Sequence, residues 1–437
     1  MTPVGWCRAG CLVAVGLSLA AVPATGAATL RPDGRFGEGG IARVPVRTGS
    51  EAVVRPLRPV RQPDGNVLVS ASIVGDRGDP AEVVLARFTR DGRPDATFGR
   101  GGRVRLGARW NFDPRAVLVQ PDGRIVLMGA AGRGINSLYP LVAPAQLGLI
   151  RLLPDGSRDR AFGTDGFVAW NPPWRPSTRL MQTSPGLLLQ ADGRLLVAAS
   201  VDDLRAEGPA GSNVDVDRVA FARFDANGSL DESFGSAGVV ETPDGSDYFA
   251  AWAALPGGHL VVLHSRNEGL FAPRSWWLDR FTANGALDSG FGSGGSVRLG
   301  SIALVFVQDL VAAGDGSLVL VGSNASGDTR TMLHRILPDG QLDAGFGTAC
   351  RRRLRDFGWG GAAVTSAGRV LVSATTYVTS GGRRDSVFAR YDARGCVAER
   401  PLRLRAFSAG PPLLQGRHAA LAGATYRHGL ALIRIRR

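Results

Sequence analysis

The sequence contains no lysine, so all 51 of its basic residues are arginines. A Walker A phosphate loop, a Schiff-base enzyme and a lysine general base each need the amine of a lysine side chain, so the sequence excludes all three. Long apolar runs are missing as well. After residue 28, no stretch reaches the ~18 consecutive apolar residues of a membrane-spanning helix. We therefore expect a protein that is not transmembrane.

The first 28 residues have the pattern of a secretory signal peptide. Arg8 supplies a positive charge, residues 12–22 form a short apolar stretch, and the small residues at 24–28 provide a cleavage site. We predict that residues 1–28 are removed and that the mature protein is exported, either to the periplasm or to the extracellular space.

Cysteine is scarce, with four in 437 residues. Cys7 and Cys11 lie in the predicted signal peptide, which leaves Cys350 and Cys396 in the mature chain. Because an exported protein folds in an oxidising compartment, this pair is a disulfide candidate. The alternative is two unpaired, buried thiols.

The formal charge of +13 is unevenly distributed. Residues 350–437 hold 17 arginines and four acidic residues, whereas residues 29–349 are nearly neutral. The basic segment is a candidate patch for an anionic component of the cell envelope, such as an acidic polysaccharide or lipid headgroups. Its candidate residues are Arg351, Arg352, Arg353, Arg355, Arg403 and Arg405. The alternative is a solvated surface. We expect no nucleic-acid partner for an exported chain.

Glycine is abundant, with 60 residues, and much of the excess belongs to an internal repeat. One segment reads Arg87-Phe-Thr-Arg-Asp-Gly-Arg-Pro-Asp-Ala-Thr-Phe-Gly, and it returns in four further copies and in partial copies at both ends. Its recurring positions are Asp91, Gly92, Asp95, Phe98 and Gly99, and the equivalent phenylalanines are Phe162, Phe234, Phe291 and Phe346.

A second motif, Gln120-Pro-Asp-Gly-Arg-Ile, alternates with the first and has close copies at Gln62 and Gln190. An Asp-Gly pair between apolar runs is a strong hairpin signal, because glycine accepts the positive φ of a tight turn. Each period then holds four strand-like runs. Four-stranded units that repeat every ~40–60 residues are typical of β-propeller blades.

We therefore predict an all-β fold, a β-propeller of seven four-stranded blades occupying residues 29–437 after the signal peptide. Each blade is expected to open on the strand that follows a Phe-Gly pair. The Phe36-Gly37 segment is expected to dock on the last blade and close the ring. The approximate blade limits are 37–88, 99–152, 163–224, 235–281, 292–336, 347–391 and 396–437.

The repeat residues have a structural interpretation. The phenylalanine serves as an apolar knob between adjacent sheets, the next glycine permits a sharp bend, and the preceding aspartate accepts backbone N–H groups. A calcium site in the Asp-Gly-x-x-Asp loops is the alternative. The spacing matches neither the EF-hand loop nor the nonapeptide calcium repeat, so we expect no metal and no cofactor.

The combination of the Asp91-Gly-x-x-Asp-x-x-Phe-Gly segment with the Gln120-Pro-Asp-Gly hairpin resembles the bacterial delta-60 repeat family. The resemblance covers residues 30–395 well. It implies an exported or surface propeller-like protein without established catalytic residues. The last copy departs from the pattern, because Cys396 follows Gly395 and the Asp-x-x-Phe-Gly part is missing.

Both glycine motifs fall on one face of the predicted ring, and loops of variable length fall on the other. Variable loops on a rigid scaffold are common binding sites. The candidate ligand-binding aromatic residues on this loop face are Trp110, Tyr139, Trp170, Trp174 and Trp359. The alternative is that these side chains pack between the blades.

These patterns favour a monomeric binding or scaffold module with a glycan or protein partner. We predict no catalytic residue, because zinc-protease and nucleophile-elbow motifs are missing from the sequence. The alternative is a propeller hydrolase or lyase whose carboxylates meet in the central channel. A structural protein of the envelope is a third hypothesis.

Overall fold

A computed structural model gives the architecture of this protein. The residues it describes are 30–46, 53–74, 82–107, 112–132, 146–171, 186–202, 217–242, 248–266, 275–300, 302, 306–323, 331–347, 357–376, 385–405, 407–415, 418–425 and 429–436. None of these residues forms a helix long and apolar enough to cross a membrane. The predicted signal peptide lies outside the described part of the chain and stays a prediction.

The described strands form seven antiparallel sheets. In the order of blades 1 to 7, the first strands are Val53–Pro56, Phe112–Val119, Gly186–Leu189, Tyr248–Ala254, Phe306–Ala312, Phe357–Val364 and Phe407–Gln415. In the same order, the second strands are Val67–Val74, Ile125–Ala131, Leu195–Asp202, Leu260–Arg266, Leu318–Ser323, Val370–Thr376 and His418–Thr425.

The third strands, again in blade order, are Glu82–Phe88, Gln146–Leu152, Asp217–Phe224, Ser275–Phe281, Thr331–Ile336, Ser386–Tyr391 and Gly429–Arg436. The fourth strands of blades 1–4, 6 and 7 are Arg103–Leu106, Phe167–Trp170, Val239–Glu241, Ser296–Gly300, Leu402–Leu404 and Ile41–Val44. The described residues of blade 5 contribute three strands. Short strands at Val60–Arg61 and Arg31–Pro32 extend blades 1 and 7, and a 3-10 turn spans Pro256–Gly258.

The seven blades form a ring, which confirms the predicted seven-bladed β-propeller. First strands of adjacent blades contact one another from blade 2 to blade 7, and the first strand of blade 7 contacts that of blade 1. The short strand Val60–Arg61 of blade 1 contacts the first strand of blade 2. First strands therefore lie innermost, around the axis. Seven buried apolar clusters fill the junctions, one between each adjacent pair of blades. The core of this protein is thus distributed around the ring.

Each blade begins one strand later than the sequence predicts. Arg103–Leu106 was expected to open the second blade, but it pairs with Glu82–Phe88 as the outermost strand of blade 1. The reason is local, because the Arg87 N–H donates to the Gly102 carbonyl at 3.0 Å and brings the two strands into register. The Phe-Gly segment is therefore a loop within a blade, and the crossover between blades comes after the fourth strand.

The ring closes through the two ends of the described chain. Ile41–Val44 pairs with Gly429–Arg436 as the fourth strand of blade 7, with Ile41 opposite Ile433. This agrees with the expectation that the Phe36-Gly37 segment docks on the last blade. In this partial copy of the repeat, Asp33 takes the place that Asp95 has in blade 1.

Candidate functional site

The repeated segment builds the same contact in successive blades, which we call the latch. In blade 1 the latch consists of Arg87, Asp95 and Phe98. Arg87 Nε donates to Asp95 Oδ2 at 2.8 Å, and its guanidinium carbon lies 4.8 Å from the centroid of the Phe98 ring. Arg87 Nη1 then donates to the carbonyl of Pro154, in blade 2, at 2.6 Å. One guanidinium therefore joins its own loop to the next blade.

The same geometry recurs around the ring. An arginine at the end of the third strand pairs with the aspartate and lies over the phenylalanine in four further blades. The sets are Arg151–Asp159–Phe162, Arg223–Asp231–Phe234, Arg280–Asp288–Phe291 and Arg335–Asp343–Phe346. The spacing of eight residues from arginine to aspartate is visible in the sequence. The arginine stands at the start of the repeated segment, but its position in the sequence does not reveal its role.

The latch phenylalanine packs against the Asp-Gly turn of the following blade. Phe98 is fully buried, and a Cβ on Gly156 would lie 2.8 Å from its ring. Gly156 also has a φ of +88°, which side-chain-bearing residues rarely adopt. The latch residues are thus occupied with contacts between neighbouring blades, and they are structural.

The innermost strands carry the residues nearest the axis. Within the described part of these strands the carboxylates are Asp113 and Asp309. Asp113 is buried, accepts a hydrogen bond from Ser72 Oγ at 2.9 Å and pairs with Arg115 at 2.7 Å. Asp309 pairs with Arg58 at 2.6 Å. Each of the two carboxylates is therefore in an ion pair with an arginine.

Arg58 connects blade 1 to three others. Besides Asp309 in blade 5, its guanidinium donates to the carbonyls of Ala362 in blade 6 and Pro412 in blade 7, each at 3.0 Å. Blades 6 and 7 can approach each other closely beside these carbonyls because Gly361 has no side chain, and a Cβ there would lie 2.5 Å from Pro411. The inner ends of blades 5, 6, 7 and 1 are thus fastened together by one side chain.

A buried Ser–Asp–His set lies within blade 4. His264 Nε2 lies 2.9 Å from Asp279 Oδ2, and Ser296 Oγ donates to Asp279 Oδ1 at 2.6 Å. In a nucleophilic triad the serine bonds to the histidine, whereas here both partners bond to the aspartate. The His264 and Asp279 side chains are fully buried. This set joins strands within the sheet and is not arranged for catalysis.

The candidate aromatic residues of the loop face have different outcomes. Trp170 was a candidate ligand-binding residue, with packing between the blades as the alternative, and it is 9 % exposed and meets Phe224 edge-on at 6.1 Å between blades 2 and 3. Trp170 is the last residue of the fourth strand of blade 2, and its indole ring packs in the apolar cluster between blades 2 and 3. Trp359 belongs to the first strand of blade 6. Trp110, Tyr139 and Trp174 lie outside the described residues.

Trp252 was not among the sequence candidates. It lies on the first strand of blade 4, 6.2 Å from the Phe221 ring of blade 3. A Cβ on Gly186 of blade 3 would overlap its indole ring. The small residue in one strand and the large one in the next therefore fit together, and Trp252 packs between blades as Trp170 does.

Connection lengths on the loop face are strongly uneven. Fourteen residues join the second and third strands in blade 2 and again in blade 3, and 15 residues cross from blade 2 to blade 3. The other connections of these two kinds that join described strands have two to nine residues. The three long segments (132–145, 171–185 and 203–216) therefore all connect strands of two neighbouring blades, blades 2 and 3. We call this part of the loop face the blade 2–3 sector.

The basic segment is described in part. Arg403 lies on the fourth strand of blade 6, is 56 % exposed and is 3.8 Å from Asp385. Arg405 is also exposed. Arg351, Arg352, Arg353 and Arg355 lie outside the described residues.

Cys396 is disulfide-bonded. Cys350 lies outside the described residues, so its pairing with Cys396 stays a prediction. Within the described part of the chain, no group of three or more histidine, cysteine, aspartate and glutamate side chains could hold a metal ion.

A family model described as "Domain of unknown function (DUF5122) beta-propeller" matches residues 62–98, 208–234 and 313–346. The three matches end at Phe98, Phe234 and Phe346, the latch phenylalanines of blades 1, 3 and 5. The matches cover less than half of the chain. They support a β-propeller family, but they do not identify it as the delta-60 repeat family. Among curated proteins, none matches this chain.

The solved structures that are similar to this chain at low identity include the following two. The β-propeller domain of the Trilobed protease from Pyrococcus furiosus matches with a TM-score of 0.44 and 12% identity, over 88% of this chain and 93% of that chain. The alpha-L-arabinanase of Penicillium chrysogenum matches with a TM-score of 0.44 and 10% identity, over 91% of this chain and 98% of that chain. The assignment of seven blades rests on the strand pairing and the junctions described above.

Proposed function

We propose that this protein is an exported β-propeller that acts as a binding module, and that its ligand contacts the blade 2–3 sector of the loop face. The observation that carries the proposal is the grouping of the three long connections on two adjacent blades. A rigid ring with loops enlarged at one place is a common way to build a recognition surface.

The opposite face supports this choice. Its latch residues repeat from blade to blade, and each guanidinium, carboxylate and ring is engaged by its own loop or by the next blade. A surface built from identical, occupied contacts offers little that distinguishes one ligand from another. The differences between blades lie on the loop face.

The axis gives the alternative enzyme less support. A hydrolase or lyase with a carboxylate pair needs two acids in different protonation states. Asp113 and Asp309 are each paired with an arginine, and Arg58 fastens the inner ends of four blades. We therefore favour binding at the loop face over catalysis at the axis.

A loop exchange tests the proposal. The purified chain is first screened against a glycan array and a peptide array, which separates a sugar ligand from a protein ligand. Segment 132–145 is then replaced by the seven-residue connection 324–330 of blade 5, which joins equivalent strands. The matched control replaces segment 267–274 of blade 4 in the same way.

We expect the blade 2 exchange to lower affinity at least about tenfold and the blade 4 exchange to leave it unchanged. Equal loss in both variants, or binding that follows only the arginines of residues 350–437, would place the ligand elsewhere. Circular dichroism and thermal melting verify that both variants are folded.

A further inference from the structure

Blade 6 departs from the repeat at its outer loop. After Gly395 the chain reads Cys-Val-Ala-Glu-Arg-Pro, so this loop supplies neither the latch aspartate nor the latch phenylalanine. Glu399 stands in for the aspartate, with Oε1 2.9 Å from Arg390 Nη2 in an ion pair that is not aligned as a hydrogen bond. Burial raises the pKa of Glu399, and Arg390 opposes this.

Blade 7 departs from the repeat at the matching place. In blade 1 the third strand ends at Phe88, which pairs with Pro94 across the turn that holds Gly92. In blade 7 the equivalent pair is Ile435 with Pro32, and these residues come from opposite ends of the chain. A continuous Asp-Gly turn, which would receive a phenylalanine from blade 6, is therefore not formed there. The two departures belong to one junction, which we call the seam.

The disulfide of Cys396 lies in blade 6 at its junction with blade 5, and not at the seam. Its turn, Asp392–Cys396, receives the latch of blade 5. The Gly347 N–H donates to the Arg394 carbonyl at 2.8 Å, and a Cβ on Gly395 would lie 2.8 Å from the Phe346 ring. The Cys396 N–H donates to Asp392 Oδ1 at 2.9 Å and closes the same turn. A covalent bond at Cys396 therefore holds the turn by which blade 6 is attached to blade 5.

We propose that this disulfide is a redox-sensitive staple, which ties blade 6 to blade 5 and so keeps blade 6 in the ring although its latch to blade 7 is incomplete. Its partner is Cys350, four residues after Phe346, because the two other cysteines belong to the predicted signal peptide. A dithiol reductant opens the staple. It supplies two electrons and two protons, the S–S bond breaks, two cysteine thiols form, and the reductant becomes a disulfide.

The consequence is a local change in stability. With the staple closed, blade 6 is tied to blade 5 by a bond that constrains its opening. With the staple open, blade 6 keeps one full latch, from blade 5, together with the Arg58 contact at its inner end and the apolar junction with blade 7. Blade 6 then becomes the least stable unit of the ring, and it opens before the others.

Hydrogen exchange of the folded protein tests the proposal, with and without dithiothreitol. We expect reduction to accelerate exchange about tenfold or more in strands Val370–Thr376 and Ser386–Tyr391 of blade 6. Exchange in strand Ile125–Ala131 of blade 2 should be unchanged. Unaltered exchange in blade 6, or equal acceleration in both blades, would overturn the proposal.

Variants separate the staple from the latch. Cys396→Ser should reproduce the exchange pattern of the reduced protein and should no longer respond to the reductant. Phe346→Ala weakens the latch that shares the Asp392–Cys396 turn, so reduction should accelerate exchange in blade 6 more in this variant than in the parent protein. Peptide mapping without reduction should find Cys350 linked to Cys396. Two free thiols would contradict the staple directly.

Discussion

Arg434 Nε donates a hydrogen bond of 3.0 Å to Asp33 Oδ2, although 401 residues separate the two in the chain. The Arg434 guanidinium lies 4.6 Å from the centroid of the Phe36 ring, and Nη1 donates to the Arg90 carbonyl of blade 1 at 3.0 Å. This is the geometry of the latch, assembled from both ends of the chain. The latch therefore joins blade 7 to blade 1.

Removal of this composite latch should destabilise the whole ring. In the Arg434→Ala variant, the Asp33 carboxylate loses its ion pair with Arg434 while its side chain is only 5 % exposed. Breaking a buried ion pair by removing one partner costs about 3–5 kcal/mol. We expect a clear fall in the thermal midpoint, measured by differential scanning calorimetry.

The matched control is Glu38→Ala. Glu38 lies in the same segment and is 3.8 Å from Arg43, but its side chain is 94 % exposed. Such a pair contributes about 0–1 kcal/mol. Similar shifts in the two variants would argue that ring closure does not depend on the Arg434–Asp33 contact.

The contact between Phe98 and Gly156 should appear as an interaction free energy. Phe98→Ala removes a buried ring and should cost about 3–5 kcal/mol. Gly156→Ala places a methyl group against Val104 and against that ring, at a position with a φ of +88°. Because the smaller side chain at position 98 makes room for the methyl group, the double variant should cost less than the sum of the single variants. Denaturant unfolding of the four proteins measures this, and strict additivity would contradict the packing.

The latch aspartates should make the protein sensitive to acid. The Ser233 hydroxyl, the backbone N–H of Ser233 and Arg223 hold the pKa of Asp231 below its usual value. A hydrogen bond and the charge of Arg335 do the same for the pKa of Asp343. A carboxyl whose pKa is lower in the folded state stabilises the fold above its unfolded pKa of about 3.9, and this is lost as the pH falls through the folded pKa.

We therefore expect the thermal midpoint to decrease steeply below about pH 4. The Asp231→Asn variant should be less stable near pH 7, and the difference from the parent protein should shrink in acid. A difference that stays constant from pH 7 to pH 2 would show that the ionised form of Asp231 has no special part in the latch.

His259 occupies a place that arginine holds in blades 2 and 3. Arg124 and Arg194 each follow an Asp-Gly hairpin, and each lies 3.0–3.1 Å from the latch aspartate of its own blade. His259 lies 3.4 Å from Asp288 in blade 4. An imidazole carries a full charge only in acidic solution, whereas a guanidinium is always charged.

The His259→Arg variant should accordingly be more stable than the parent protein near pH 8, because a guanidinium meets Asp288 with a full charge. Thermal melting of the two proteins measures the gain. A variant that is no more stable than the parent protein would contradict this role of position 259.

The number of blades could be read from the sequence, whereas the grouping of their strands could not. Glycine-containing hairpins such as the one after Gln120 recur along the chain, and phenylalanines such as Phe98 mark all the blades except blade 6, because tight turns and buried knobs require particular residue types. Sequence spacing alone does not say which neighbour Arg103–Leu106 will join. The hydrogen bond from the Arg87 N–H to the Gly102 carbonyl aligns Arg103–Leu106 with the third strand of blade 1.

The candidate site shows the same limit. Trp170 stands at the end of a strand before a long segment, where its sequence context resembles an exposed position. Only the approach of Phe224 from the next blade shows that the ring is buried. The carboxylates of the axis likewise look identical in sequence, and their arginine partners come from the same strand for Asp113 and from a distant blade for Asp309.

The sequence by itself determined the all-β class, the repeat and the count of seven blades, because these depend on local residue patterns repeated along the chain. The tertiary structure decided the phase of the blades, the closure of the ring by Arg434 and Asp33, and the role of each repeated arginine. Those contacts join residues far apart in sequence, and their geometry exists only once the sheets are packed around a common axis.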